Sequence, residues 1–285
     1  MCVTIFFCVN GYLMLKKHRD SIYLLKKNAK MLFLIIFWGI IGCCIGTWSR
    51  ENSVFIPTTF IHHLYNLDVG FGNHLWFLIT LIILNFLNPL FFFFTNHSTK
   101  SEKIILISFT GLCTTNFLQI FAWQFNPFKG WHSFALFYYI MGYFLLATNK
   151  DKNISAKKYG FFFLVFIILQ TCLNFSMLQS DKLMKLFNGG DLVFQQYSSI
   201  FVICSTFALI LLFKKVELPK NQLVTFVGSN TLGIYLIQDF VIKYLKYGLH
   251  INEYPLLHVV LSMILSCIIA FLFNKSKITK FLISM

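Results

Sequence analysis

The chain has 285 residues, of which 57% are hydrophobic, 19% aromatic and only 12% charged, whereas a water-soluble domain carries about 25% charged residues. One soluble core of this length cannot hide so much apolar surface, but lipid can cover it from outside. The formal net charge of +14 would suit nucleic acid, yet the Lys and Arg sit in short clusters between apolar runs, with no basic stripe and no nucleic-acid module, so nucleic acid is excluded as a partner.

Crossing the hydrocarbon takes about 20 apolar residues in helix. The candidates in chain order are 1–15, 31–48, 75–94, 104–123, 131–149, 159–179, 192–213, 223–245 and 255–274. The expected fold is all-α, a polytopic transmembrane helix bundle of about nine spans. No alternation with turn signals, as a barrel would show, competes with it.

The first stretch is short for a span and starts apolar at Met1, with its basic residues after it; a signal peptide places them before. The expectation is that the chain begins partway into a larger protein's second span. A short, tilted helix with its N-terminus outside is the alternative. Asn10-Gly11 interrupts the stretch, allowing close helix contact or lining a site. The connection 16–30 then holds Lys16, Lys17, Arg19, Lys26, Lys27 and Lys30 against one acidic residue, Asp20. Such a cluster sets topology and favours anionic lipid, or it holds the phosphates of a cytoplasmic ligand such as coenzyme A.

Alternate connections test the orientation. The set 16–30, 95–103, 150–158, 214–222 and 275–285 holds 18 of the 24 Lys and Arg. The other set holds Arg50, Lys129, Lys182, Lys185, Lys243 and Lys246. Positive residues stay inside, so the first set is expected in the cytoplasm, with the N-terminus outside and the C-terminus cytoplasmic. The longest outer connection is then 49–74. It carries Arg50-Glu51, an interfacial pair or part of a site, together with His62, His63 and His74. His132, His250 and His258 also fall outside or near the outer face. Only His has an unperturbed pKa near neutrality, and His74, beside the next span, is the preferred general base.

Within the spans, Asn85 and Asn88 recur at i,i+3 before Pro89 and read as interhelical hydrogen-bond partners. The span 223–245 is the most polar. Thr231, Tyr235, Gln238 and Asp239 share one helix face, expected to turn inward. Asp239 either pairs with Lys243 at i,i+4 or helps wall a substrate cavity, since ionisable groups at membrane depth are functional candidates by default. All 8 Cys fall in apolar runs without a C-x-x-C pair, and they read as apolar fillers rather than a disulfide framework or metal ligands. No metal site and no tightly bound cofactor is expected. G-x-S-x-G, H-E-x-x-H and phosphate-loop motifs are absent.

Four stretches in order resemble acyltransferase family 3, the bacterial integral-membrane O-acyltransferases. Ile5-Phe6-Phe7-Cys8-Val9-Asn10-Gly11-Tyr12-Leu13 is similar to the family's Phe-Phe-x-x-Ser/Asn-Gly-Tyr/Phe-Leu element in its second span. His74-Leu75-Trp76-Phe77-Leu78, continuing to Asn88-Pro89-Leu90, resembles its Trp-Phe-centred span. Phe137-Tyr138-Tyr139-Ile140-Met141-Gly142-Tyr143 resembles its Phe-x-x-Gly-Tyr element, and Asn230-Thr231-Leu232-Gly233-Ile234-Tyr235-Leu236-Ile237 its Gly-Ile/Val-Tyr-Leu-Ile-His stretch.

The resemblance implies a single membrane-embedded acyltransferase-like domain over 1–285, N-terminally truncated, in a bacterial plasma membrane. It implies transfer of an acyl group, usually acetyl from acetyl-CoA on the cytoplasmic side, to a sugar hydroxyl of a surface glycan on the outer side. By the same resemblance Lys16, Lys17, Arg19, Lys26, Lys27 and Lys30 would attract the donor's phosphates. Asn10, Trp76, Tyr235, Gln238, Asp239 and Arg50 would bind substrate, and membrane lipids surround the bundle. The sequence departs from the family at three places. The family's first span carries an Arg and a His thought to be catalytic, and this sequence has no such span, which leaves His74 as the candidate base. Gln238 stands where His is common. Lys27 and Lys30 stand where an Arg-x-x-Arg pair is common, and Lys lacks the bidentate fork. The alternatives are a flippase for a lipid-linked glycan, or a catalytically inactive homologue or partner subunit.

Overall fold

A computed structural model describes residues 2–49, 75–114, 133–147, 154–179, 197, 199–216, 221–249 and 255–283. Every regular element among them is helical: α1 (Cys2–Leu15), α2 (Ser21–Ser49), α3 (Trp76–His97), α4 (Lys100–Thr114), α5 (Ser133–Ala147), α6 (Ala156–Leu178), α7 (Ile200–Lys215), α8 (Gln222–Ser229), α9 (Thr231–Lys243), α10 (Pro255–Phe273) and α11 (Lys277–Phe281). A π-helical turn, Tyr244–Gly248, extends α9. In lipid every backbone N–H and C=O must be satisfied within the segment, and a helix does this locally.

Two described helices are long and apolar enough to cross a membrane, Trp76–His97 and the Ala156–Ser176 part of α6. Val3–Leu15, Phe134–Ala147 and Leu257–Phe273 are apolar but shorter. The all-helical class thus stands, while a bundle of nine spans is not established by these helices.

Two expectations are corrected. The stretch 16–30 is not wholly a connection, because α2 begins at Ser21. Leu, Lys, Asn and Ala at 24–30 contain no breaker, and Lys and Leu are good helix formers. Lys26, Lys27 and Lys30 therefore stand on a helix. The span 223–245 is not continuous either. It breaks at Asn230, whose φ of −115° and ψ of 12° leave the helical region. Side chains close the gap: Thr231 Oγ1 donates to Val227 O at 2.8 Å, and Asn230 Nδ2 donates to Phe226 O at 2.8 Å.

The described chain forms two compact units, Met1–Arg19 with Phe86–Leu218, and Asp20–Asn85 with Pro219–Met285. In the first, α1 packs along α5, and α6 along α7. A Cβ on Gly11 would fall on the Tyr139 backbone, and one on Gly142 would fall on the Cys8 backbone, so only glycine permits this crossing. Small residues are what let membrane helices approach so closely. Phe7, Cys8, Met14, Leu15, Tyr138, Tyr139 and Ile140 are buried around the contact. Thr4 and Thr206 share a buried hydroxyl hydrogen bond of 2.8 Å.

In the second unit α9 packs on α10. Trp38 of α2 stacks on Phe240 at 5.3 Å and on Phe273 at 6.4 Å. Its indole N–H donates to Leu282 O at 3.0 Å. Gly233 meets Ile283 where a Cβ would collide, which seats the chain's last described turn against α9. Asn274 Nδ2 donates to Asn230 Oδ1 at 2.6 Å, so α10 braces the break.

Candidate functional site

The four stretches that carry the family resemblance pack against one another in pairs. In the first unit the Asn10-Gly11 stretch lies on the Phe137–Tyr143 stretch through Gly11 and Gly142. Asn88 is tied to the same place, because Tyr139 Oη donates to its Oδ1 at 2.7 Å. In the second unit Phe77 of the Trp-Phe stretch meets Tyr235 of the 230–237 stretch, ring to ring at 5.3 Å. Trp76 stands edge-on to Phe77 at 6.4 Å. Much of what made these stretches recognisable is therefore helix contact. Asn10-Gly11, readable either as a close-packing step or as a site wall, packs closely through its glycine. Asn10 itself is 8% exposed, and its Nδ2 has no hydrogen-bond partner among the described residues.

The polar face of α9 is not fully turned inward. Thr231 is exposed, and Tyr235, Gln238 and Asp239 are half-exposed. The buried side is Leu232, Gly233, Ile234, Leu236, Ile237, Phe240 and Val241. In lipid, apolar side chains gain no transfer energy from burial, so this side is set by the close packing it offers α10 and Trp38. Asp239 Oδ2 lies 2.7 Å from Lys243 Nζ, with side-chain exposures of 23% and 30%. The i,i+4 pair therefore forms, and it sits beside Gln238 on the open side of the helix.

The basic residues divide between the units. Lys16 Nζ donates to Tyr12 Oη at 3.0 Å and stands over that ring. Arg19 Nη2 donates to Leu13 O at 3.4 Å, and Lys17 is exposed. On α2, Lys26 is exposed and Lys27 half-buried, while Lys30 Nζ stands 4.4 Å from the centre of the Phe281 ring. Several cations on one helix end can attract a polyanion.

Asn85 and Asn88 do bridge helices. Asn88 takes Tyr139, and Asn85 Nδ2 donates to Asn28 Oδ1 at 2.8 Å. Sequence reasoning missed Asn28, since a lone Asn among lysines has no spacing signature. It also missed the Tyr138 hydroxyl, which donates to Tyr197 O at 2.7 Å. His258 Nε2 lies 3.3 Å from Ile242 O. At the start of α4, Thr99 and Glu102 form a reciprocal cap: the Thr99 N–H donates to Glu102 Oε2 at 2.6 Å, and the Glu102 N–H to Thr99 Oγ1 at 3.3 Å. These bonds hold the Glu102 carboxyl below its usual range. His74, Arg50, His62, His63, His132 and His250 lie outside the described residues. Among the described residues no cluster of three or more His, Cys, Asp or Glu could hold a metal.

No curated protein and no solved structure matches the chain. The family model described as an acyltransferase domain, Acyl_transf_3, matches residues 1–275. Nearly the whole sequence thus fits one family pattern, and the chain belongs to acyltransferase family 3, whose members transfer acyl groups other than aminoacyl.

Proposed function

We propose that this acyltransferase moves an acetyl group from acetyl-CoA to a sugar hydroxyl of a cell-surface polysaccharide, and that its 285 residues work as one domain in a bacterial plasma membrane. The observation that carries the reading is the family match over residues 1–275. The segregation of 18 Lys and Arg into alternate connections supports a cytoplasmic donor side. Lys26, Lys27 and Lys30 on the first turns of α2 supply positive charge for the donor's phosphates. Trp76, Tyr235 and Gln238 offer a ring surface and hydrogen-bonding groups suited to a sugar. Arg50 and Asp239 stay candidates for the same acceptor.

In the reaction His74 takes the proton of the acceptor hydroxyl as its oxygen attacks the thioester carbonyl. A C–O bond forms, the C–S bond breaks, and the thiolate leaves and recovers the proton from the imidazolium. The products are the sugar ester and coenzyme A.

The test is incubation of labelled acetyl-CoA with membranes holding the chain. Label on glycan supports the reading. Glycan translocation without acetylation would favour a carrier, which needs paired discontinuous helices; the break at Asn230 is a single one among the described residues.

A further inference from the structure

The Asn28–Asn85 pair is more than a clasp between α2 and α3. The two side chains are 6% and 0% exposed. Asn85 Nδ2 donates to Asn28 Oδ1 at 2.8 Å and lies 3.8 Å from Met31 Sδ. Asn28 Nδ2 and Asn85 Oδ1 have no hydrogen-bond partner among the described residues. Turning both amides over changes which residue donates and leaves the same remainder, one N–H donor and one carbonyl acceptor. Pro89 adds to the deficit: it has no N–H, so the backbone carbonyl of Asn85 lacks its helical donor. Buried groups away from water cost free energy until they are paired. A pair built only to join two helices would be cheaper as two apolar residues.

The position of the pair narrows what could complete it. Asn28 shares α2 with Lys26, Lys27 and Lys30 and stands about 10 Å along the axis from the helix start at Ser21, at 1.5 Å per residue. Asn28 lies between Lys27 and Lys30 at the same depth, but helix side chains lean toward the N-terminus and the long Lys26 and Lys27 stems carry their charges back toward Ser21. A ligand whose phosphates stay with those charges would therefore pass its arm inward to the pair. We propose that the Asn28–Asn85 pair receives a secondary amide of the thioester donor's pantetheine arm, with Asn28 Nδ2 donating to the amide carbonyl and Asn85 Oδ1 accepting its N–H. The inference rests on the coenzyme A reading above. The chemistry matches from both sides. Pantetheine amides that leave water need partners, and among the described residues the pair leaves one donor and one acceptor unpaired. A trans amide carries its C=O and N–H on opposite edges, suited to a donor and an acceptor held by two helices.

The experiment is calorimetric titration of the full chain in lipid nanodiscs with coenzyme A and, separately, with 3′-phosphoadenosine 5′-diphosphate, which has the phosphates but no arm. The Asn28→Leu/Asn85→Leu double variant should bind coenzyme A about tenfold or more weakly, the loss expected for two hydrogen bonds. Its affinity for the nucleotide without the arm should be unchanged. A folded double variant that binds coenzyme A like the wild type overturns the inference, as does a wild type that binds the two ligands equally well. A wild type that binds neither overturns the donor reading itself. If the double variant does not fold, Asn28→Asp keeps the acceptor for Asn85 and removes the donor. It should weaken coenzyme A more than the nucleotide, and an equal effect on both would refute the role of the arm.

Discussion

Replacing Gly142 with Ala puts a methyl group onto the backbone of Cys8. A carbon and a carbonyl oxygen need about 3.3 Å or more between them, and backbone cannot swing aside as a flexible side chain can, so α1 and α5 must part. Overpacking of this kind costs about 1–3 kcal/mol. Parting the helices also stretches the Thr4–Thr206 and Tyr139–Asn88 hydrogen bonds, each contributing about 0.5–1.5 kcal/mol net. The sum is about 2–6 kcal/mol, or a fall in melting temperature of about 4–24 °C at about 2–4 °C per kcal/mol. Gly11→Ala meets the Tyr139 backbone and should behave alike. Gly228 in α8 is the control, because a Cβ there meets nothing within 4 Å. Gly228→Ala should stabilise by up to about 1 kcal/mol through helix propensity alone. The assay is thermal unfolding in nanodiscs followed by Trp fluorescence. If Gly142→Ala melts with the wild type, or if Gly228→Ala loses as much as Gly142→Ala, the glycine crossing is refuted.

Tyr139→Phe removes the donor to Asn88 and should cost about 1–3 kcal/mol, because the buried amide oxygen is left unpaired. The double variant Tyr139→Phe/Asn88→Leu should recover part of that loss in the same melt, and additive losses would contradict the pairing. For Glu102, whose folded pKa is depressed by its bonds to Thr99, the stabilisation is present above the unfolded carboxyl pKa of about 4.3 and is lost as pH falls through the folded value. Wild type and Glu102→Gln should therefore differ in melting temperature at pH 7 and converge in acid. A constant difference across the range would show that the cap is not the cause.

The helical class was legible because lipid cannot hydrogen-bond to the backbone, so long apolar runs have one solution. Asn85 and Asn88 were legible as glue for the same reason, but their partners were not. Asn28 and Tyr139 lie 57 and 51 residues away along the chain, and only tertiary packing brings them in. The start of α2 was misread because Lys was taken as a mark of a loop, although its long stem lets it stay helical while its charge reaches the interface. At Asn230 the break was written in Gly228-Ser229-Asn230, yet the apolar residues on either side masked it. The α9 polar face was a true face, but its partner-facing side was decided by Leu, Ile, Phe and Val, which the polar-residue argument did not weigh. The family stretches were readable as motifs, and the pairing of Gly11 with Tyr139 and of Gly142 with Cys8 explains two of them physically.

Acetyl transfer in sealed vesicles of opposite orientation tests the central claim most directly. On the proposed orientation, inside-out vesicles would expose the face bearing most of the Lys and Arg, and labelled acetyl-CoA added outside them should yield labelled glycan within. Right-side-out vesicles given the same external donor should yield none until they are made permeable. Equal labelling in both, or labelling only right-side-out, would contradict an acyltransferase whose donor binds on the positively charged side.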